Sequence, residues 1–184
     1  MNMLTPESTN VYTISVFSEN MAGLIQRVVT VFTRRHFNIE SLTTSKSSQE
    51  GIHRFTIVVQ AREDQVKKLV AAIDKQIDVI KAFYYDNTEI VQQEIALYKI
   101  PTQVFAHGDT MEKLIRSHNA RILRIEPEYI VVEKTGHQSE TEALLKEFEK
   151  IGIYEFVRSG RVAVSKTMEP LNKYLKSLEL QKTN

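Results

Sequence analysis

The sequence predicts an α+β protein in which one architecture occurs twice, and three observations lead there. Its 184 residues exceed one small domain and fit two compact ones of roughly 80 residues each. Some stretches alternate apolar and polar residues with period two, while others repeat apolar residues at helical spacing. The order strand, helix, strand, strand, helix, strand is met twice, at a spacing of roughly 80 residues and without letter-level similarity between the halves.

Val11 to Phe17 alternates apolar and small polar residues with β-branched enrichment, the chemistry of a first strand. After Glu19-Asn20 and Gly23, the residues Leu24, Val28, Val31, Phe32 and Arg35 follow helical spacing with no internal breaker. Phe37 to Lys46 sets Ile39 and Leu42 among threonines and serines and reads as extended. Ser47-Ser48-Gln49-Glu50-Gly51 supplies turn chemistry, so a hairpin into Ile52–Ala61 is predicted. Val66, Leu69, Val70 and Ile73 then fall at i, i+3, i+4 and i+7, a second helix ending near Lys75. Ile77 to Tyr85, β-branched and aromatic, closes a split βαβ, or ferredoxin-like, unit over residues 10–86.

The polar stretch Asp86-Asn87-Thr88 marks the predicted boundary, and a second ferredoxin-like domain is expected over residues 92–168. Ile95, Leu97 and Ile100 open it as a strand. Met111, Leu114, Ile115 and His118 form a helical stripe, and Arg121–Ile125 with Tyr129–Lys134 forms a strand pair around Glu126-Pro127-Glu128. Leu144, Leu145, Phe148 and Ile151 make the second stripe, and Tyr154–Lys166 supplies two β-like pieces. In the tail, 169–184, Leu171, Leu175 and Leu178 stand among lysines, a pattern that fits either a short amphipathic helix for a partner or a frayed end.

Composition removes whole classes of function. The 42% hydrophobic and 26% charged fractions are those of an ordinary globular protein. Basic and acidic residues number ten against nine in residues 1–86 and fourteen against fourteen afterwards, so neither half carries an electrostatic footprint for nucleic acid. The third strand holds one aromatic, Phe55, where RNA-recognition domains of the same element order stack bases on several. With no cysteine, disulfides and thiolate chemistry are excluded and a reducing, cytoplasmic setting is expected. No signal peptide, transit peptide or membrane span is predicted.

Catalytic groups are equally scarce. None of the five histidines has a second ligand three or four residues on along a predicted helix, and the six glycines are too dispersed for a phosphate loop or dinucleotide fingerprint. Glu126 and Glu128 flank a proline in a predicted turn and read as solvated charges. The chain is therefore not expected to be an enzyme by itself, and no metal or cofactor is expected in it.

The informative segment is Glu19-Asn20-Met21-Ala22-Gly23-Leu24-Ile25, between the first strand and first helix. First-turn amides of a helix lack intrahelical acceptors and, with the helix dipole, favour a carboxylate; a glycine there lets a ligand approach the backbone. Gly23, Leu24 and Ile25 offer backbone amides, Asn20 offers a side-chain amide, and Leu24 and Ile25 offer apolar surface, which together suit a free amino acid. The same residues also fit a plain helix cap at Asn20 and a turn at Gly23.

The run Tyr12-Thr13-Ile14-Ser15-Val16-Phe17-Ser18-Glu19-Asn20, then Gly23-Leu24, Arg27-Val28, Phe32, Arg35 and Phe37-Asn38-Ile39-Glu40-Ser41-Leu42-Thr43, resembles the ACT domain of the small regulatory subunit of acetolactate synthase, also called acetohydroxyacid synthase. The resemblance continues through Arg54–Val59, Gln76–Ile80, Gln93–Ile100 and Arg158-Ser159-Gly160, strongest over residues 12–60 and patchy between about 103 and 150. Met21-Ala22 depart from a polar residue and proline often found there, and Ser45 from a glycine or alanine.

The resemblance implies a homodimer whose ACT domains pair side by side and bind valine, leucine or isoleucine at their interface. It implies a site drawing Asn20, Gly23, Leu24 and Ile25 from one subunit and Asn38 with Ile39 from the other. It further implies a catalytic large subunit as partner, which this chain activates and subjects to feedback inhibition, and which carries thiamine diphosphate, magnesium and FAD. Two other readings stand beside it: a free-standing ACT-type sensor acting on another enzyme or regulator, and a small enzyme of ferredoxin-like fold.

Overall fold

The structure, a computed structural model, describes residues 9–107, 110–167, 171 and 173–176. Its elements run β1 (Asn10–Glu19), α1 (Leu24–Arg34), β2 (Ser41–Lys46), β3 (Ile52–Ala61), α2 (Glu63–Ile73), β4 (Val79–Asp86), β5 (Ile90–Pro101), a 3-10 helix (Thr102–His107), α3 (Thr110–Ser117), β6 (Arg121–Ile125), β7 (Tyr129–Gly136), α4 (Gln138–Ile151), β8 (Glu155–Arg158) and β9 (Val162–Ser165). They form two compact units, one of residues up to Val91 together with those from Ala163 onward, the other Gln92–Val162.

In the first unit the sheet order is β2-β3-β1-β4, all neighbours antiparallel. The β1–β3 register pairs Tyr12 with Val59, Ile14 with Ile57 and Val16 with Phe55, so these six side chains share one face. Leu24, Val28 and Phe32 of α1 and Val66, Leu69, Val70 and Ile73 of α2 complete the core against that face. Full burial of one such side chain contributes about 1.5–3 kcal/mol. The predicted helix end near Lys75 moves back to Ile73, and Ile77, read as strand, is 96% exposed in a turn. Asp74 draws that turn tight by accepting from the Ala82 amide at 2.9 Å and pairing with Lys81 at 2.6 Å, so β4 starts at Val79.

The opposite face of this sheet mixes aromatic and polar residues, and the polar ones are buried. Thr13, Ser15 and Thr56 have relative exposures of 0%, 1% and 6%. The segment from Ala163 is held to this unit. Arg54 Nη2 donates to the Ala163 carbonyl at 2.7 Å, the Lys166 amide to the Glu89 carbonyl at 2.8 Å, and Lys166 Nζ to the Thr88 carbonyl at 2.7 Å. Leu171 is buried and residues 173–176 are helical, with Lys81 Nζ 5.1 Å from the Tyr174 ring centre; Leu178 lies outside the described residues.

The second unit repeats the permutation as β6-β7-β5-β8. Ala96, Tyr98 and Ile100 of β5 and Ile130 and Val132 of β7 face Met111 and Ile115 of α3 and Leu144 and Phe148 of α4. Tyr98 sits between Phe148 and Phe156, each ring centre 5.2 Å away, and its hydroxyl donates to the Thr141 carbonyl at 2.7 Å. At the start of α4 the His137 amide donates to Glu140 Oε2 at 2.7 Å, half of a capping box. The element order expected from the sequence, α+β with two ferredoxin-like folds, is the one observed.

Candidate functional site

A register shift between Phe17 and Ser18 in the β1–β4 pairing re-aims the chain just before it leaves the sheet. Three long-range contacts then fix the turn. The Glu19 amide donates to the Asp78 carbonyl at 3.2 Å, the Asn20 amide donates to the Gly51 carbonyl at 3.1 Å, and Arg27 of α1 forms an ion pair with Asp78. The partners of Glu19, Asn20 and Arg27 come from the turn before β4 and from the β2–β3 hairpin, so no local sequence signal announces them.

Gly23 is the N-cap of α1, at φ 81° and ψ −2°, and no side chain caps the helix. Asn20 is therefore not the cap, and its side chain is exposed. No acidic residue stands in the first turn. The Leu24 amide reaches the Met21 carbonyl at a long 3.4 Å, while among the described residues the amides of Gly23, Ile25 and Gln26 have no backbone acceptor. The arrangement is a helix start with free donors, no built-in counter-charge and a positive-φ glycine that leaves the backbone bare, which suits a carboxylate.

The apolar wall differs from expectation. Leu24 is 2% exposed and belongs to the core, so its side chain is turned away from any ligand at the turn. Helical spacing explains this, since Leu24 shares the stripe of Val28 and Phe32. Ile25 at 48% and Met21 at 50% exposure supply the apolar surface instead.

Asn38 and Ile39 lie in the loop between α1 and β2, with Asn38 exposed and Ile39 half-buried against the core. The eleven-residue α1 separates them from Gly23 by about 16 Å at 1.5 Å per residue. Within one chain the structure does not bring the two groups together.

Two family profiles match. The one described as "AHAS small subunit-like ACT domain" covers residues 14–81, and the one described as "Small subunit of acetolactate synthase" covers residues 93–167. The chain is 34% identical over 159 residues to the acetolactate synthase small subunit of Mycobacterium bovis, covering 86% of this chain and 94% of that one. It is 34% identical over 148 residues to the acetolactate synthase small subunit of Bacillus subtilis, covering 80% and 86%. The crystal structure of the small subunit from Thermotoga maritima superposes with a TM-score of 0.79 at 25% identity, over 87% of this chain and 99% of that one. Among the described residues no helix is long and apolar enough to cross a membrane. The two profiles, the relatives and the fold agree: the chain belongs to the family of acetolactate synthase small subunits.

Proposed function

We propose that this small subunit binds the catalytic subunit of acetolactate synthase, raises its activity, and inhibits it when valine, leucine or isoleucine occupies a site between two ACT domains. The observation that supports the reading is the exposed start of α1, whose unpaired amides, Asn20 side chain and flanking Met21 and Ile25 make half of an amino-acid site. The carboxylate would sit on the amides of Gly23 and Ile25, and the apolar side chain would rest on Ile25 and Met21.

A twofold dimer explains why the remaining half-site lies at the far end of α1. In an isologous pair, the Asn20 end of one chain meets the Asn38 end of the other, and the converse contact makes a second, equivalent site. An effector shared by two chains senses their relative geometry and shifts activity by its differential affinity for two arrangements of the complex. Thiamine diphosphate, magnesium and FAD belong to the catalytic partner in this reading, and the cytoplasm is its setting.

Calorimetry with the three amino acids, together with inhibition assays on the reconstituted holoenzyme, tests the proposal. Asn20→Ala and Gly23→Asp are expected to abolish binding and feedback inhibition while activation of the partner persists. The Asp carboxylate would occupy the helix start in place of the ligand's own. Normal inhibition in both variants would place the site elsewhere.

A further inference from the structure

The face of the first sheet that points away from the helices holds a cluster that the amino-acid site does not use. Arg54 on β3 stands between Ser45 of β2 and Phe17 of β1 in the strand register. Its Nη2 donates to Ser15 Oγ at 3.0 Å and to the Ala163 carbonyl at 2.7 Å, and its guanidinium carbon lies 5.4 Å from the Phe17 ring centre. Its Nε is buried and has no hydrogen-bond partner among the described residues. Among the described residues no carboxylate pairs with this half-buried cation, and burial pulls its pKa down. An uncompensated guanidinium with a buried, unused N–H costs stability, because both the charge and the donor have lost water.

Arg54 lines a cavity of about 390 Å³ shared with Ser45, Lys46, Tyr85, Ser165, Phe17 and Leu171. Among the described residues no carboxylate lines it. The Tyr85 hydroxyl is hydrogen-bonded to Ser165, and burial raises its pKa, so it stays protonated; Glu89 is the acid that acts on it. Arg54 and Lys46 thus line one cavity with hydroxyl-bearing residues that include Ser45, Tyr85 and Ser165, and Phe17 and Leu171 supply apolar lining.

We propose that this cavity binds a small oxyanion, a short-chain carboxylate or a phosphate, with Arg54 as its principal counter-charge. The guanidinium offers the planar donor pair that suits carboxylate and phosphate. The volume lies in the range of small-molecule sites. The wall is built partly by the segment from Ala163 and partly by the β2–β3 hairpin, whose Gly51 carbonyl holds the Asn20 amide. A bound anion would therefore pin the returning segment to the sheet and stiffen the hairpin that positions the amino-acid turn.

Calorimetry and ³¹P NMR on the full chain, with isobutyrate, inorganic phosphate and the neutral control isobutyramide, test it. At least one anion is expected to bind and the amide is not. Since a hydrogen bond to a charged group contributes about 1.5–3 kcal/mol, Arg54→Gln should weaken binding by about ten-fold or more. Tyr85→Phe and Lys46→Gln should each weaken it measurably, and they carry the test if the Arg54 variant fails to fold by circular dichroism. Gly23→Asp should leave it unchanged, which separates this site from the amino-acid turn. Binding of isobutyrate alone identifies an organic acid, and binding of phosphate alone identifies a phosphorylated ligand. Binding of neither anion, equal binding of amide and acid, or affinity untouched by the three cavity variants would overturn the proposal.

Discussion

Replacing Gly23 by alanine isolates what the backbone contributes to the helix start. A Cβ built at Gly23 meets no heavy atom within 4 Å, so crowding adds nothing. The penalty comes from φ 81° alone, a left-handed conformation that costs an L-residue about 1–2 kcal/mol. Reduced freedom of the unfolded chain returns about 0.4–1 kcal/mol. The net expectation is a destabilisation near 1 kcal/mol, or a urea midpoint lowered by about 0.5 M at an m-value near 2 kcal/mol/M. Asparagine visits this conformation more readily, so Gly23→Asn should recover at least half of the loss. The assay is urea unfolding of the full chain followed by far-UV circular dichroism, in the transition that contains α1, with valine calorimetry in parallel. Valine affinity should fall with alanine and recover with asparagine, because the amide fan of the first turn depends on this dihedral. An alanine variant as stable as the parent, or an asparagine variant no better than alanine, would refute the reasoning.

Leu24→Ala removes a core side chain and should cost about 2–5 kcal/mol in urea unfolding. Ile25→Ala, on the exposed side of the same turn, should change stability by no more than about 0.5 kcal/mol yet weaken branched-chain amino-acid binding in calorimetry. Tyr98→Phe removes a buried hydrogen bond to the Thr141 carbonyl and should lower the second unit's stability by about 0.5–1.5 kcal/mol in the same unfolding experiment. The Thr135 hydroxyl, and then Arg121, hold the Glu133 carboxyl below its ordinary value of 4.5. A lowered folded pKa gives stability that is present above the unfolded value and lost as pH falls through the folded one. Glu133→Gln should therefore flatten the decline of stability below about pH 4.5 in acid titrations followed by circular dichroism.

Periodicity made most of the fold legible. Val28 and Phe32 announced α1, Val66, Leu69, Val70 and Ile73 announced α2, and the β-branched alternation of residues 11–17 announced β1. Each pattern is local, because a helix or strand must turn one apolar stripe inward whatever its neighbours are. Element ends were less legible. Ile77 carries strand chemistry but sits in a turn, because Asp74 captures the Ala82 amide and Lys81 across it.

The candidate turn itself was fixed by sequence, since a glycine at the start of an apolar stripe marks where a helix begins with bare amides. Its working surface was decided by tertiary structure. Leu24 and Ile25 are adjacent and chemically alike, and only packing against the sheet sends one into the core and leaves the other outside. The same holds for Thr13 and Ser15, small polar residues whose alternation marks a half-solvated strand but which are buried here. Arg54 finds its contacts 39 and 109 residues away, and the segment from Ala163 joins the first unit across the whole second one. The sequence by itself determines which residues turn inward along each element. Which elements meet, and so which donors and cations converge on one cavity, depends on pairings between distant segments that no local pattern encodes.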